Sequence, residues 1–288
     1  MTGPLGILGP GVLGRSTAQA AAERGLRVRL LGRDLAHATA GVAEVNRRWD
    51  RAVAAGRMDP AAAAEAATLL VPASFDPEAL EGLAALLEAL PEDPAPKAHV
   101  LADAAHWGHP DLLLLSGTSS LPISDLARRA ELEGRLVGFH LFVPVPRMGV
   151  VELAVPAGTA AALVARARAL GVALGKRVVQ VRDQPGFAAA RMALAQGLEA
   201  MRLLEAGVAS AEDLDALMTL GYGHPVGPLE LSDRVGLDLR LRIAEGLVGS
   251  GESRFRPPAL LKTHVVEDET GTRSGQGFFA WDEQGRRC

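Results

Sequence analysis

The sequence predicts an α/β domain followed by an all-helical one. Three observations carry this. Short apolar runs alternate with helical patterns from the N-terminus to about residue 183. After "DQPGF" (residues 183–187) the alternation stops and long helical periods follow. Hydrophobic residues make up 48% of the 288, enough for one large domain or two smaller ones with cores of their own. The expected domains are therefore residues 1–183 and 184–288.

The elements follow in order. "PLGILG" reads as a short buried strand, "STAQAAAERG" as a helix closed by Gly25, and "RVRLLG" as a second strand. Together they form a β-α-β unit of about thirty residues. Residues 35–57 are helical in pattern, with Arg and Asp on one face. "MDPAAAAEAA" starts a helix, Asp59 capping it and Pro60 in its first turn. "GLAALLEAL" and "HVLADAAHWG" fit strand or helix equally, because periodicity does not separate short apolar runs. The three prolines of "ALPEDPAPK" predict a loop. "DLLLLSG" is a strand, and "SDLARRAEL" a helix capped by Ser124. "RLVGFHLF" and "VVELAV" are strands, "TAAALVARARALGVALG" a helix, and "RVVQVRD" the last strand. In the second half, "ARMALAQGLEAMRLLEAG" is a long helix. "SAEDLDALMTLG" is another, with a Ser210/Asp213 capping box, and a third follows "GHPVGPLELSDRVG".

Composition excludes several classes. Net charge is −4 with no basic block, which argues against a nucleic-acid or anionic-membrane partner. No apolar run reaches eighteen residues, so no bilayer-spanning helix is expected. The N-terminus lacks a basic n-region and a cleavage site, so no secretory leader is expected. Cys288 is the one cysteine, which rules out an intrachain disulfide and fits a reducing, cytoplasmic setting. His99, His106 and His109 lie near one another but lack a Cys or acidic partner at ligand spacing; they read as a solvated loop, and no metal is expected. Lysine is rare: Lys97, Lys176 and Lys262 stand among 30 basic residues that are otherwise arginine. A lysine at a meaningful position is then less easily chance.

Gly9-Pro10-Gly11-Val12-Leu13-Gly14 is a G-x-G-x-x-G between a strand and a helix. The first glycine permits a tight turn, the second lets backbone approach a pyrophosphate, and the third lets helix and strand pack. The helix N-terminus then offers free N–H groups to phosphate. The bland alternative is a plain tight β-α turn. An NAD site would end the second strand in Asp or Glu, to bind the ribose hydroxyls. Gly32 stands there instead, followed by Arg33 and Asp34. Arg33 could accept a 2′-phosphate, giving NADP preference or tolerance; alternatively Asp34 supplies the carboxylate from two places on. The cofactor is thus NAD or NADP.

"GFHLFVPVPRMGVVEL" (residues 138–153) places His140 at the end of an apolar strand and Glu152 on the next. Hydride transfer at a carbon bearing a hydroxyl needs a partner for the hydroxyl proton. Histidine suits this, since its pKa lies near working pH. A carboxylate on the other ring nitrogen would fix its tautomer. The alternative is a buried structural histidine with a glutamate at a strand edge.

At these residues the chain resembles the L-3-hydroxyacyl-CoA dehydrogenases, over nearly its full length. "GFHLFVPVPRMGVVEL" resembles their HFFNPVP…VE signature, and "SGTSSLPISDLA" their NTSSL segment, with Ser119 twenty-one residues before His140. "LLEALPEDPAPK" resembles EAVPED, "DQPGFAAAR" the DTPGF-x-x-NR helix start, "LGYGHPVGPLELSDRVGLD" the G-x-G-x-PMGPFEL stretch, and "TRSGQGFFAW" the KTGKGFY tail. The resemblance implies a Rossmann-type dinucleotide-binding domain followed by an all-helical C-terminal domain that dimerises. It implies His140 as general base or acid, Glu152 as its orienting group, and Ser119 in contact with substrate and cofactor. It implies Glu92 and Lys97 as cofactor contacts, and offers Arg273 as another. The substrate implied is a small molecule, an L-3-hydroxyacyl-CoA.

Four positions depart from the family. Its asparagines are replaced by Val143, Gly117 and Ala190, and its ribose-binding acid by Gly32. Ala190 removes an amide that helps hold the substrate oxygen. One such donor is worth about 2.7–4 kcal/mol in the transition state. Two alternatives follow: a related enzyme of a CoA-free 3-hydroxy acid, sugar acid or imine, or a cofactor-binding relative with little activity. Arg47, Arg48, Arg51 and Arg57 could meet the phosphates of CoA or form a solvated face. Trp49 among them could cover adenine or join the core.

Overall fold

The computed structural model describes residues 3–288; Met1 and Thr2, the first positions of the expected 1–183 domain, lie outside the described residues. The chain divides into two compact units, the first ending at Phe187 and the second spanning Ala188–Cys288.

The first unit is an eight-stranded sheet in the order β3-β2-β1-β4-β5-β6-β7-β8. Its strands are β1 (Leu5–Leu8), β2 (Val28–Gly32), β3 (Leu70–Ser74), β4 (Ala85–Glu88), β5 (Leu113–Ser116), β6 (Leu136–Leu141), β7 (Val150–Val155) and β8 (Arg177–Arg182). Its helices are α1 (Val12–Ala22), α2 (Leu35–Ala54), α3 (Pro60–Thr68), α4 (Pro77–Leu80), α5 (Pro94–Trp107), α6 (Ile123–Arg129) and α7 (Ala161–Ala173). All neighbouring strands run parallel except β6 and β7. This is the Rossmann-type arrangement: β1 has β2 on one side and β4 on the other, so the winding direction switches between β1 and β4. Ligands bind outside the strand ends at such a switch.

The inner strands β1, β4, β5 and β6 are buried on both faces, which is why they read as continuous apolar runs. Alternate residues feed two cores. Leu5, Ile7, Leu30, Leu87, Leu115 and Phe139 pack on one face. Leu8, Leu31, Leu86, Leu114 and Leu136 pack on the other.

Three expectations are corrected. The strand β3 is not among the expected elements, and Pro72 lies inside it. β3 is an edge strand, where the missing N–H of proline costs no ladder bond. Pro94 and Pro96 of the expected loop lie in the first turn of α5, capped by Asp93, which accepts from the Ala95 N–H. Proline is tolerated there because those N–H groups have no intrahelical partner. His99 and His106 accordingly lie on α5 rather than in a loop. Finally, Ser124 does not cap α6. The helix starts at Ile123, and the carboxylate of Asp183, just past β8, accepts from the N–H groups of Ile123 and Ser124, both at 2.8 Å. Nothing within the segment announces a cap some sixty residues away.

The second unit holds α8 (Ala189–Glu205), α9 (Ala211–Ala216), α10 (Pro228–Val235), α11 (Leu237–Gly249) and α12 (Ala259–Val266). Leu194, Leu198, Met201, Leu229, Leu247, Phe255 and Trp281 form its core. Ser210 caps α9 by accepting from the Asp213 N–H. Helix α10 lies within "GHPVGPLELSDRVG" itself, and α11 follows it. Asp233 on α10 is fully buried and accepts from the N–H groups of Phe278 and Phe279 and from Trp281 Nε1, which fastens the C-terminal segment.

Asp183→Ala should destabilise the first unit by about 1–2 kcal/mol, the worth of a helix cap. Ser124→Ala should change stability by less than about 0.5 kcal/mol, as an exposed surface substitution does. Urea denaturation of both variants checks this; equal losses would restore Ser124 as the cap.

Candidate active site

The glycine loop leads from β1 into α1. Gly9 has φ +106°, a conformation L side chains rarely adopt, and a Cβ on Gly14 would lie 1.9 Å from the Gly9 carbonyl oxygen. Both are required by the protein itself. Gly11 is not: a Cβ there would meet nothing within 4 Å. Space beside the N-terminus of α1 suits a pyrophosphate, with the N–H groups of Val12 and Leu13 at the first turn. Pro10 sits in the loop between them, packed near Gly41 of α2.

At the end of β2, α2 approaches so closely that a Cβ on Gly32 would lie 2.7 Å from the Ala38 nitrogen. The packing leaves no room for the acid expected there. Asp34 is the N-cap of α2, its Oδ1 accepting from the His37 N–H at 2.7 Å. Arg33 donates to its other oxygen at 3.3 Å and is largely exposed.

Beyond β4 and β5 lies a knot of charge. Glu88, fully buried, accepts from Lys97 Nζ (2.8 Å) and Ser116 Oγ (2.7 Å). Lys97, itself 1% exposed, also donates to the Leu90 carbonyl and lies 3.5 Å from Glu92 Oε2. Glu92 Oε1 accepts from Thr118 Oγ1 (2.7 Å), Ser120 Oγ (2.8 Å), the N–H groups of Ser119 and Ser120, and Ser119 Oγ (3.4 Å). Burial alone would raise the Glu92 pKa. The charge of Lys97 and the hydroxyl and amide donors outweigh it, so Glu92 titrates below its ordinary range. The ammonium of Lys97 thus faces two carboxylates and a carbonyl. Glu88 was missed in the sequence; its signal was a charge closing an otherwise apolar strand.

Strands β6 and β7 are antiparallel, and the register sets His140 directly opposite Glu152. His140 Nδ1 and Glu152 Oε2 are 2.9 Å apart, both buried. With Glu152 ionised, the carboxylate only accepts, which puts the proton on Nδ1 and leaves Nε2 as the second ring nitrogen. The ring packs 4.5 Å from Phe142, centroid to centroid. Such a pair can take a proton at Nε2 and stabilise the resulting imidazolium.

A cavity of about 600 Å³ is lined by Ser16 and Gln19 of α1, Arg48 and Arg51 of α2, Arg57, and Pro144, Pro146 and Arg147 of the β6–β7 turn. Arg147 joins the arginines noted in the sequence; Arg47 is not in the lining, and Glu44 pairs with Arg47, Arg48 and Arg51 alike. Trp49 is core: it is 2% exposed and donates to Glu23. A Cβ on Gly117 would meet the Glu88 carbonyl and Leu13 at 2.9 Å, so an asparagine has no room. Val143 is half-exposed in the turn, and Ala190 lies in the first turn of α8 in the second unit. Arg273 pairs with Asp238 inside that unit.

The family model for the 3-hydroxyacyl-CoA dehydrogenase NAD binding domain matches residues 4–184, and that for its C-terminal domain matches 186–281. The chain belongs to the 3-hydroxyacyl-CoA dehydrogenase family. It is 35% identical over 280 residues to a 3-hydroxybutyryl-CoA dehydrogenase of Mycobacterium tuberculosis, covering 96% of this chain and 98% of that one. It is 32% identical over 279 residues to the 3-hydroxybutyryl-CoA dehydrogenase of Bradyrhizobium diazoefficiens, covering 96% and 94%. The crystal structure of (S)-3-hydroxybutyryl-CoA dehydrogenase from Ralstonia eutropha superposes with a TM-score of 0.92 at 31% identity, covering 98% and 100%. Members of this family are oxidoreductases with an NAD-binding domain, and the glycine loop supplies that feature here.

A carboxylate held below its unfolded pKa stabilises the fold above that value, and the stabilisation is lost as pH falls through the folded pKa. Glu92 is such a group, so stability should fall as pH drops below about 4.5, the ordinary value. Glu92→Gln should flatten that acid limb while lowering stability at pH 7. Urea midpoints at pH 7 and pH 4 measure both; an unchanged acid limb would refute the assignment.

Proposed function

We propose that the chain interconverts an L-3-hydroxyacyl-CoA and its 3-oxoacyl-CoA, with His140 as general base in oxidation and general acid in reduction. The observation that carries this is the buried His140–Glu152 pair at 2.9 Å. NAD, when bound, takes up or gives the hydride. His140 Nε2 takes the hydroxyl proton, and Glu152 fixes the tautomer and offsets the positive charge that forms. Ser119 positions the substrate oxygen. Gly9 to Gly14 and the start of α1 hold the pyrophosphate, Glu92 meets the cofactor, and Lys97 holds Glu92 in place.

The arginine cavity supports CoA as part of the substrate. Guanidinium groups pair bidentately with phosphate, and Arg48, Arg51, Arg57 and Arg147 line one space of about 600 Å³. Exposed Arg33 supports tolerance of NADP, since the carboxylate that would repel a 2′-phosphate is absent at Gly32. Leu217, Leu220 and Tyr222, all strongly exposed on the second unit, support a homodimer. The lone cysteine supports a cytoplasmic setting. Ala190, which offers no amide, favours a second reading: a CoA-free 3-hydroxy substrate. Free CoA separates the two, because a ligand of the folded state raises its apparent stability.

Three outcomes are expected. With acetoacetyl-CoA, His140→Ala should lower kcat by about 10²–10⁴-fold while NADH still binds, as loss of a general acid does; retained turnover would remove His140 from the chemistry. Arg33→Ala should raise the KM for NADPH about tenfold, one charge-assisted contact, and leave that for NADH within about twofold. Equal changes for both cofactors would count against a 2′-phosphate contact. Free CoA should raise the melting temperature, and no shift would favour the CoA-free reading.

A further inference from the structure

Lys176 is not used by the chemistry above, yet it is one of only three lysines, and it is buried at 7% exposure. It stands between α7 and β8. Its ammonium donates to two carbonyls of the β6–β7 turn, Val145 at 2.6 Å and Met148 at 2.8 Å. Among the described residues no carboxylate forms an ion pair with it. Burial, and then the charge of Arg24, push it below its ordinary range, with Glu23 opposing. A cation kept in such a place is costly unless its hydrogen bonds are needed.

Those bonds fix one short segment from two sides. Ser16 Oγ on α1 accepts from the Val145 N–H at 2.8 Å, while Lys176 takes the Val145 carbonyl. Val145 is therefore held at both its polar backbone atoms and buried completely. Within the turn the Pro144 carbonyl accepts from the N–H groups of Arg147 and Met148, and beyond it the Arg177 N–H donates to the Gly149 carbonyl. The residues flanking Val145 on this fixed backbone, Pro144, Pro146 and Arg147, form one wall of the arginine cavity.

We propose that Lys176 is a positioning residue for the anionic part of the substrate, acting by holding Pro144, Pro146 and Arg147 in place. This rests on the reading of the arginine cavity as the place of the CoA phosphates. Lys176 itself touches no substrate. Its loss loosens a wall and leaves the nucleotide loop, which belongs to other segments, as it was.

Lys176→Met keeps the length and apolar stem and removes the donors. The measurements are the Kd of free CoA by calorimetry, the Kd of NADH by fluorescence, kcat and KM with acetoacetyl-CoA, and the melting temperature. The Kd of CoA and the KM for acetoacetyl-CoA should rise about tenfold, the scale of one lost positioning bond. The Kd of NADH and kcat should stay within about twofold. An unchanged CoA Kd would overturn the proposal, as would equal weakening of CoA and NADH, which marks general loosening. If Lys176→Met does not fold, Lys176→Gln, neutral and shorter, must give the same CoA-selective loss; otherwise the proposal fails. A wild-type chain that binds CoA but does not reduce acetoacetyl-CoA sinks the proposed reaction, and the CoA affinities still decide the role of Lys176. A wild-type chain that binds no CoA overturns both.

Discussion

The pairing of β6 with β7 is the constraint on which the rest depends. It is the one antiparallel pair in a sheet that otherwise runs parallel. Only a chain reversal can set two residues twelve apart directly across from each other, and the register does so for His140 and Glu152. Side chains alternate along a strand, so a slip of one residue would send one of the two to the opposite face. The bond between them is short and buried, where a hydrogen bond to a charged group is worth most and its loss is most costly. The turn between the two strands is itself tied down, to α1 through Ser16 and to the start of β8 through Lys176 and the Arg177 N–H. The helix that begins at the glycine loop and the hairpin that carries the histidine thus share a hydrogen bond.

A second knot works on different physics. Two carboxylates, Glu88 and Glu92, surround the ammonium of Lys97, and three consecutive hydroxyl residues, Thr118 to Ser120, close over Glu92. The Glu88–Lys97 pair is buried nearly completely. Such a pair adds little to stability against an apolar replacement, but removing either partner strands a charge. What it secures is geometry: the segment after β4 and the segment after β5 are held to one point, at the switch in winding where a dinucleotide domain binds its ligand.

Much of this was legible in the sequence. The glycine loop, the Asp59 cap, the Ser210 cap and the strands β1, β5 and β6 all follow from local rules, because the forces that make them act within a few residues; β4 lies in a run that periodicity left open between strand and helix. The failures have a common cause in distance or context. Pro72 reads against a strand until β3 is known to be an edge. Ser124 reads as a cap until Asp183 arrives from the far end of the domain. Pro94 and Pro96 read as loop, although the rule that placed Pro60 at a helix start applies equally to Pro94. The departures at Gly32 and Gly117 read as a changed cofactor preference and a lost amide, and both lie where neighbouring atoms leave no room for a side chain.

The sequence by itself determined the fold class, the identity of the chemical groups and the family, because motif order and spacing are written along the chain. Tertiary structure decided which of those groups meet. It set Glu152 against His140 and turned Lys97 inward to two carboxylates. It gathered Arg147 with arginines about a hundred residues away, and put Trp49 into the core. The physical reason is that hydrogen bonds, ion pairs and packing depend on distances of a few ångströms. Those distances are fixed by strand register and by which faces are buried, and neither is a property of any one segment.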